Sequence, residues 1–250
     1  MLISDEAIND AVRAIAPHVL RTPMVRSYSL SDALGAHAFL KCELFQPTGS
    51  FKVRGVFNKA STLTEDERTR GLIAFSAGNH AMAVAHVGVG LGLPVTVCMP
   101  AGAVQFKVDA VQAMGATLEL VEGDLVATAL ARQAELGATM VHPFDDPAVV
   151  AGTGTLGREI MEQLPEVDTV LVPTGGGGLI SGVATAVKRA NPNVRVIGIE
   201  PTTADVIAAS RRAGRPMQIA AKSLADGLAA PITGEINLAH IDAYVDEMVL

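Results

Sequence analysis

The stretch Thr169-Val170-Leu171-Val172-Pro173-Thr174-Gly175-Gly176-Gly177-Gly178-Leu179 opens as an apolar, β-branched run and closes on four consecutive glycines. A helical pattern follows over 179–190. Strand, glycines and helix, in that order, make the local unit of a parallel α/β sheet, in which the loop at a strand's carboxyl end feeds a helix N-terminus. Four residues without Cβ let backbone N–H groups close on a ligand as a concave nest, and the helix behind adds its positive dipole end. A phosphate suits such a loop better than the alternative, a merely flexible glycine turn. The run lacks the Lys-Ser/Thr of a nucleoside-triphosphate loop and has no GxGxxG spacing, which argues against a nucleotide-binding Rossmann enzyme.

Working outward, the same alternation recurs from residue 70 onward. Strands are expected at Leu72–Phe75, Val95–Met99, Thr117–Val121, Thr169–Val172 and Arg195–Ile199, with helical patterns near 79–90, 104–114, 124–136, 154–163 and 179–190. The reading is an α/β fold with mainly parallel sheets flanked by helices. At the N-terminus, Ser4 can cap a first helix with Asp5 and Glu6 in its first turn, and Ile8, Ala11, Val12 and Ile15 mark one buried face. Pro17 and Arg21-Thr22-Pro23 end it. His142-Pro143-Phe144-Asp145-Asp146 and the residues up to Gly152 read as a crossing between two lobes. Tyr244–Leu250 reads as the start of a strand.

Composition narrows the function classes. Of 250 residues, 49% are hydrophobic and 18% charged, so a large core is available and disorder is not expected. A net charge of -7 with scattered Lys and Arg gives no nucleic-acid footprint. No apolar run reaches the roughly 20 residues needed to span a bilayer, and the acidic opening MLISDEAINDAV is not a secretory leader. Two cysteines without CxxC spacing, Cys42 and Cys98, suit a reduced, cytoplasmic setting.

Two further segments place polar residues before helical patterns. In Gln46-Pro47-Thr48-Gly49-Ser50-Phe51-Lys52-Val53-Arg54-Gly55, Thr48 and Ser50 can cap a helix whose first turn holds Lys52. The helix dipole disfavours a cation there and lowers the lysine pKa, which makes its amine a better nucleophile toward a carbonyl. Ser76-Ala77-Gly78-Asn79-His80 follows the strand Leu72–Phe75, at the end where α/β sheets bind ligands. Its hydroxyl, amide and backbone N–H groups can hold a carboxylate or a phenolic oxygen, or simply cap a helix. The pair His142 with Asp145 or Asp146 could imitate a catalytic dyad, but its Pro-rich surroundings suggest a hinge or turn.

Taken together, GSFKVRG, SAGNH and PTGGGGL, in this order and spacing, resemble the threonine dehydratase and serine racemase group of fold type II pyridoxal-phosphate enzymes, from about Arg21 to the C-terminus. The resemblance implies a two-lobed enzyme with a large cofactor-binding domain of residues 1–68 and 149–250 and a small domain of 69–148. It implies pyridoxal 5'-phosphate held covalently by Lys52, with Phe51 on one ring face and Gly227 leaving room at the other. Asn79 would bond the ring's phenolic oxygen, Gly175, Gly176, Gly177 and Gly178 would bind the phosphate, and Leu179 would open the helix behind. Ser76, Asn79 and His80 would meet the substrate carboxylate. The implied reaction is dehydration of threonine or serine to an aminoacrylate-type product that becomes a 2-oxo acid and ammonia, with Lys52 as the proton acceptor at Cα.

Departures from the family pattern carry information. Serine racemases of the group have a second serine where this chain has Ala77, so a dehydratase is favoured over a racemase. Some relatives bind a divalent cation; Glu200 and Ala204 match two of its ligand positions, but Val206 stands where a carboxylate is expected and only the adjacent Asp205 could substitute. Family members continue well beyond Leu250, so the C-terminal end of the large domain, with the group that meets the pyridine nitrogen, is expected to be missing. A pyridoxal-phosphate-binding chain without turnover is therefore a second reading. The resemblance also implies a homo-oligomer, dimer or tetramer, with an amino acid as substrate and neither nucleic acid nor membrane as partner.

Overall fold

The computed structural model describes residues 1–250. Ser4 starts α1 (Asp5–Ile15), accepting from the Ala7 N–H, with Asp5 and Glu6 in the first turn and Arg13 in the last, as the helix dipole favours. Ile8, Ala11 and Ile15 are buried, whereas Val12 is exposed. The buried stripe follows the three-residue step from Ile8 to Ala11, which leaves Val12 a further 100° around the helix. β1 (Met24–Arg26) and β2 (Phe39–Lys41), joined through α2 (Tyr28–Leu34), pair antiparallel with Met24 opposite Lys41.

After α3 (Lys52–Ser61) and α4 (Glu65–Arg70), strands and helices alternate: β3 (Leu72–Phe75), α5 (Asn79–Gly90), β4 (Val95–Pro100), α6 (Gln105–Ala113), β5 (Thr117–Val121), α7 (Leu125–Leu136) and β6 (Thr139–Met140). These four strands form a parallel sheet ordered β5-β4-β3-β6, with Leu72 opposite Val95. The second half supplies α8 (Pro147–Gln163), β7 (Thr169–Pro173), α9 (Gly178–Ala190), β8 (Arg195–Ile199), α10 (Val206–Ala213), α11 (Glu235–Tyr244) and β9 (Glu247–Val249). Its sheet is also parallel, ordered β7-β8-β9. No helix is long and apolar enough to cross a membrane.

All five expected strands are present within a residue of their expected bounds. The expected helix near 154–163 begins earlier, at Pro147, because Asp146 caps it with bonds to the Ala148 and Val149 N–H groups and Pro147 supplies a preset φ at its first turn. Helix α8 therefore takes in most of the stretch expected as a crossing, leaving only residues 142–146 of it irregular.

Helix α8 is the spine of the molecule. A Cβ at Gly152 would lie 2.5 Å from the Arg54 carbonyl oxygen, and one at Gly182 would lie 2.4 Å from that of Val150. Only glycine permits α3 and α9 to press so closely on α8. The largest apolar cluster joins Val53, Val56, Phe57 and Ala60 of α3 to Leu72, Ala74, Val97 and Met99 of the four-stranded sheet. Beside this crossing lies a charge network. The fully buried Arg54 guanidinium bonds Glu43 at 2.7 and 2.8 Å and Glu159 at 2.7 and 3.0 Å, and Lys41 Nζ bonds Glu159 at 2.5 Å. At the far end, the Ile3 N–H donates to Nε2 of His240 in α11 at 2.9 Å, while that ring's Nδ1 donates to the Ile236 carbonyl.

Candidate functional site

Lys52 is the first residue of α3, as the sequence implied. Neither Thr48 nor Ser50 caps the helix, contrary to expectation. The cap residue is Phe51, already in helical conformation (φ −60°, ψ −15°), whereas a side-chain cap works from extended backbone. Thr48 Oγ1 and Ser50 Oγ are left buried without a partner. Lys52 Nζ donates to the Pro143 carbonyl oxygen at 2.7 Å and stands 5.2 Å from the Phe51 ring centroid. Its pKa is pushed down to about 8 by burial, which disfavours the ammonium form; the expected direction holds, with desolvation as its cause.

The second loop follows β3. Ser76 Oγ accepts from the Gly78 N–H at 3.1 Å, and α5 begins at Asn79 without a side-chain cap. The N–H groups of Ala77, Asn79 and His80 have no acceptor in the chain. Asn79 is exposed, with no internal bond from its amide, and Ser76 is half-buried. His80 turns away from them: it is buried, and its Nε2–H donates to the Val141 carbonyl at 2.7 Å. Burial, with the Lys52 charge adding to it, pushes its pKa down to about 3, so the ring is neutral and its buried Nδ1 is a bare, unpartnered acceptor.

The third loop, Thr174–Gly177, joins β7 to α9. None of the N–H groups of Gly175, Gly176, Gly177 and Gly178 is bonded within the chain. Gly177 has φ 97°, a left-handed conformation that a side chain resists. A Cβ at Gly176 would strike the Phe144 ring at 2.4 Å, and one at Gly178 would meet Phe144 Cβ at 2.8 Å. Thr233 Oγ1 donates to the Gly176 carbonyl, and the Asn237 amide to the Phe144 carbonyl. Leu179 packs into the core beneath. Gly175 abuts the turn 227–228, and a Cβ at Gly227 would have nothing within 4 Å.

Residues 142–146, read from the sequence as a hinge, tie these parts together. Pro143 holds Lys52, Phe144 supports the glycine loop, and Val141 just before them holds His80. Asp145 accepts from the Ile236 N–H, and Asp146 pairs with Lys59 at 2.7 Å, so neither serves His142 as a catalytic partner. Lys107 of α6 reaches across to Asp226, beside Gly227. Most of these contacts use backbone carbonyls, which every residue possesses, so residue identity carried no signal for them.

The proposed cation ligands lie apart. Glu200 is buried, and its two oxygens accept from the Ile207 and Ala208 N–H groups, capping α10; burial raises its pKa. Ala204 is buried and Asp205 pairs with Arg212 at 3.0 Å. This donor set does not fit a hard cation, which wants several free oxygens.

A family model described as pyridoxal-phosphate dependent enzyme matches residues 15–250. L-threonine ammonia-lyase of Thermotoga maritima is 45% identical over 253 residues, covering 99% of this chain and 63% of that protein. Against the curated relatives first matched, the chain thus spans under two thirds of their length, 63% and 61%. The solved structure of maize serine racemase superposes with a TM-score of 0.96 at 36% identity, covering all of this chain and 77% of that one. The crystal structure of a T.th. threonine deaminase gives 0.92 at 38% identity, covering 98% and 81%.

Proposed function

The chain belongs to the pyridoxal-phosphate dependent enzyme family, and from that premise we propose that it converts a β-hydroxy amino acid such as L-threonine or L-serine to a 2-oxo acid and ammonia, the water lost across Cα and Cβ being regained when the released enamine hydrolyses. The observation that carries this reading is Lys52: an amine with pKa near 8, at the first turn of α3, bounded by loops of unbonded N–H groups. The residues present fit the family's cofactor. Gly175, Gly176, Gly177 and Gly178 offer free N–H groups at a helix N-terminus for its phosphate. Phe51 lies beside Lys52, a Cβ at Gly227 would meet open space, and Asn79 is free to donate to the ring's oxygen. When bound, the cofactor delocalises negative charge from the substrate's Cα.

The chain's own groups do the rest. Lys52 is the covalent anchor, and its Nζ is the base that takes the Cα proton; a pKa near 8 suits that exchange at neutral pH. Free N–H groups of the Ser76–His80 loop, with the Ser76 hydroxyl, take the substrate carboxylate and set its orientation. His80 serves the loop from behind, through Val141. Relatives named threonine ammonia-lyase and threonine deaminase support this reaction. A racemase is the second reading, favoured by the likeness to maize serine racemase and opposed by Ala77.

The proposal extends to organisation. Residues 1–68 with 149–250, and 69–148, are taken as the large and small domains. Free, buried Cys42 and Cys98 suit a reducing, cytoplasmic compartment. Exposed Tyr28, Leu34, Leu44 and Phe45 give a homo-oligomer an apolar surface to bury.

The test is the visible spectrum of the chain with pyridoxal phosphate, before and after borohydride, with Lys52→Ala alongside. A band bleached in wild type and missing in the variant, with 2-oxo acid released from threonine or serine, supports the reading. Recovered substrate of inverted chirality would favour the racemase, and a band without either product would mean cofactor binding without turnover.

A further inference from the structure

We propose that His142 is a specificity-determining hydrogen-bond donor of the site, presenting a neutral Nε2–H to the oxygen of the substrate's β-hydroxyl. The inference rests on the dehydratase reading above and names the group that recognises the leaving oxygen.

The tautomer follows from geometry. His142 Nδ1 lies 2.8 Å from the Asp145 backbone nitrogen and 3.3 Å from that of Phe144. Both are N–H donors, and two donors can converge only on a bare ring nitrogen, so the proton sits on Nε2. That Nε2 makes no hydrogen bond within the chain and is not sealed from the surroundings. The ring is held edge-on by Phe75, with centroids 5.4 Å apart, and by Phe144, 4.7 Å apart.

Its place in the site follows from the same neighbours. Phe75 ends β3 immediately before Ser76. Phe144 lies against Gly176 and Gly178, and Pro143 between the two residues holds Lys52 Nζ. His142 thus stands where the carboxylate loop, the glycine loop and the lysine meet. The other neutral imidazole here has committed its N–H to Val141, leaving His142 as the free ring donor.

Burial keeps it neutral. Burial and the Lys52 charge lower its pKa, outweighing Asp145 and Asp146, which act in the opposite direction. Their carboxylates are already occupied by the Ile236 N–H and by Lys59 with the start of α8. A neutral imidazole does not surrender its N–H near neutral pH. His142 therefore orients the hydroxyl and stabilises charge growing on the departing oxygen, while the proton that completes the departing water is the one Lys52 Nζ took from Cα.

The experiment uses the full chain loaded with pyridoxal phosphate, as wild type, His142→Phe and His142→Gln. Proton–nitrogen NMR of the histidine side chains reads the tautomer directly; Nε2–H is expected at His142, and Nδ1–H would overturn the proposal. Turnover is then compared between L-serine and β-chloro-L-alanine, whose chloride departs without needing a hydrogen bond. In His142→Phe, kcat for serine should fall about tenfold or more relative to kcat for chloroalanine, the scale of one lost hydrogen bond. His142→Gln, whose amide N–H can reach the place of Nε2, should recover part of it. The ratio of two substrates on one sample is insensitive to its folded fraction, so equal losses on both would overturn the donor role while leaving the dehydratase reading intact. A wild type that turns over chloroalanine but neither serine nor threonine would overturn the dehydratase reading, and the β-hydroxyl as the partner of His142 with it.

Discussion

Lys107 Nζ stands 2.5 Å from Asp226 Oδ2, joining α6 to the turn that carries Gly227. A Cβ added to Gly78 would lie 3.3 Å from the same Nζ, so the lysine lies over the Ser76–Asn79 loop as it reaches across. The pair therefore spans the space between the second loop and the turn expected to face the cofactor. Hydrogen bonding to Lys107 holds the Asp226 carboxyl below its ordinary pKa. Because the aspartate is 75% exposed, the pair adds little to global stability. Lys107→Met should change unfolding free energy by less than about 1 kcal/mol while raising KM for the amino acid several-fold. Thermal unfolding and steady-state kinetics on the same preparation check both halves.

Lys52 makes the cofactor-free chain sensitive to alkaline pH in a definite direction. Its folded pKa, about 8, lies below the ordinary lysine value of 10.5. Between those values the unfolded chain binds a proton that the folded chain does not, so stability rises with pH across that window. Below about pH 8 the buried ammonium destabilises the fold. Lys52→Met should raise stability near neutral pH, by at most about 3 kcal/mol, and should flatten the rise between pH 8 and 10.5. Urea unfolding across that range tests the sign.

Three histidines should make the fold acid-sensitive. His80, His142 and His240 all have pKa values lowered chiefly by burial, His80 to about 3. On unfolding they return toward the ordinary value of about 6.5. Below that pH the unfolded chain takes up protons that the folded rings refuse, so stability falls as pH drops from about 6.5 toward the lowered folded values. The His80 ring resonances should not titrate between about pH 5 and 8. A midpoint inside that range would contradict the buried Nε2–H bond to Val141.

Arg54 tests what holds the lysine's helix in register. Replacing it with Met would leave Glu159 with Lys41 as its only basic partner and Glu43 with none. Breaking a buried charge network from one side costs about 3–5 kcal/mol, measurable by urea unfolding. Because Arg54 lies two residues from Lys52, cofactor affinity should weaken as well.

How much of this was legible in the sequence depends on which atoms do the work. β3, β5 and β8 appear at their expected residues because β-branched runs bounded by polar or glycine residues leave few alternatives. Lys52, Asn79 and the glycine run stood out in the sequence because a side chain, or the lack of one, is the feature on which their proposed roles depend. The short hairpin of β1 and β2 carried no alternation strong enough to notice; its residues are exposed apart from Met24 and Lys41. The role of residues 141–145 was invisible for a different reason. Val141, Pro143 and Phe144 act largely through carbonyl oxygens, and a proline-bracketed pair of aspartates looks like any turn. His142 sits in the midst of that segment and reads, from residue type alone, as one more part of the turn.

The bond from the Ile3 N–H to His240 spans 237 residues and has a consequence in time. The four-stranded sheet draws all its strands from residues 72–140 and can close as soon as they emerge. Helix α1 closes only in part: α3 is there early, but α8 and α9 come later, and Ile3 just ahead of the helix waits for His240 of α11. At about 5–20 residues per second of synthesis, its isoleucine face waits roughly 10–45 seconds before the last partner exists. Until those later partners arrive the nascent chain displays Ile3 and Ile8, residues that finish almost wholly enclosed. Any factor that shelters emerging chains therefore has a target in Ile3 and the Ile8 face of α1, and the arrival of residue 240 completes the cover over Ile3.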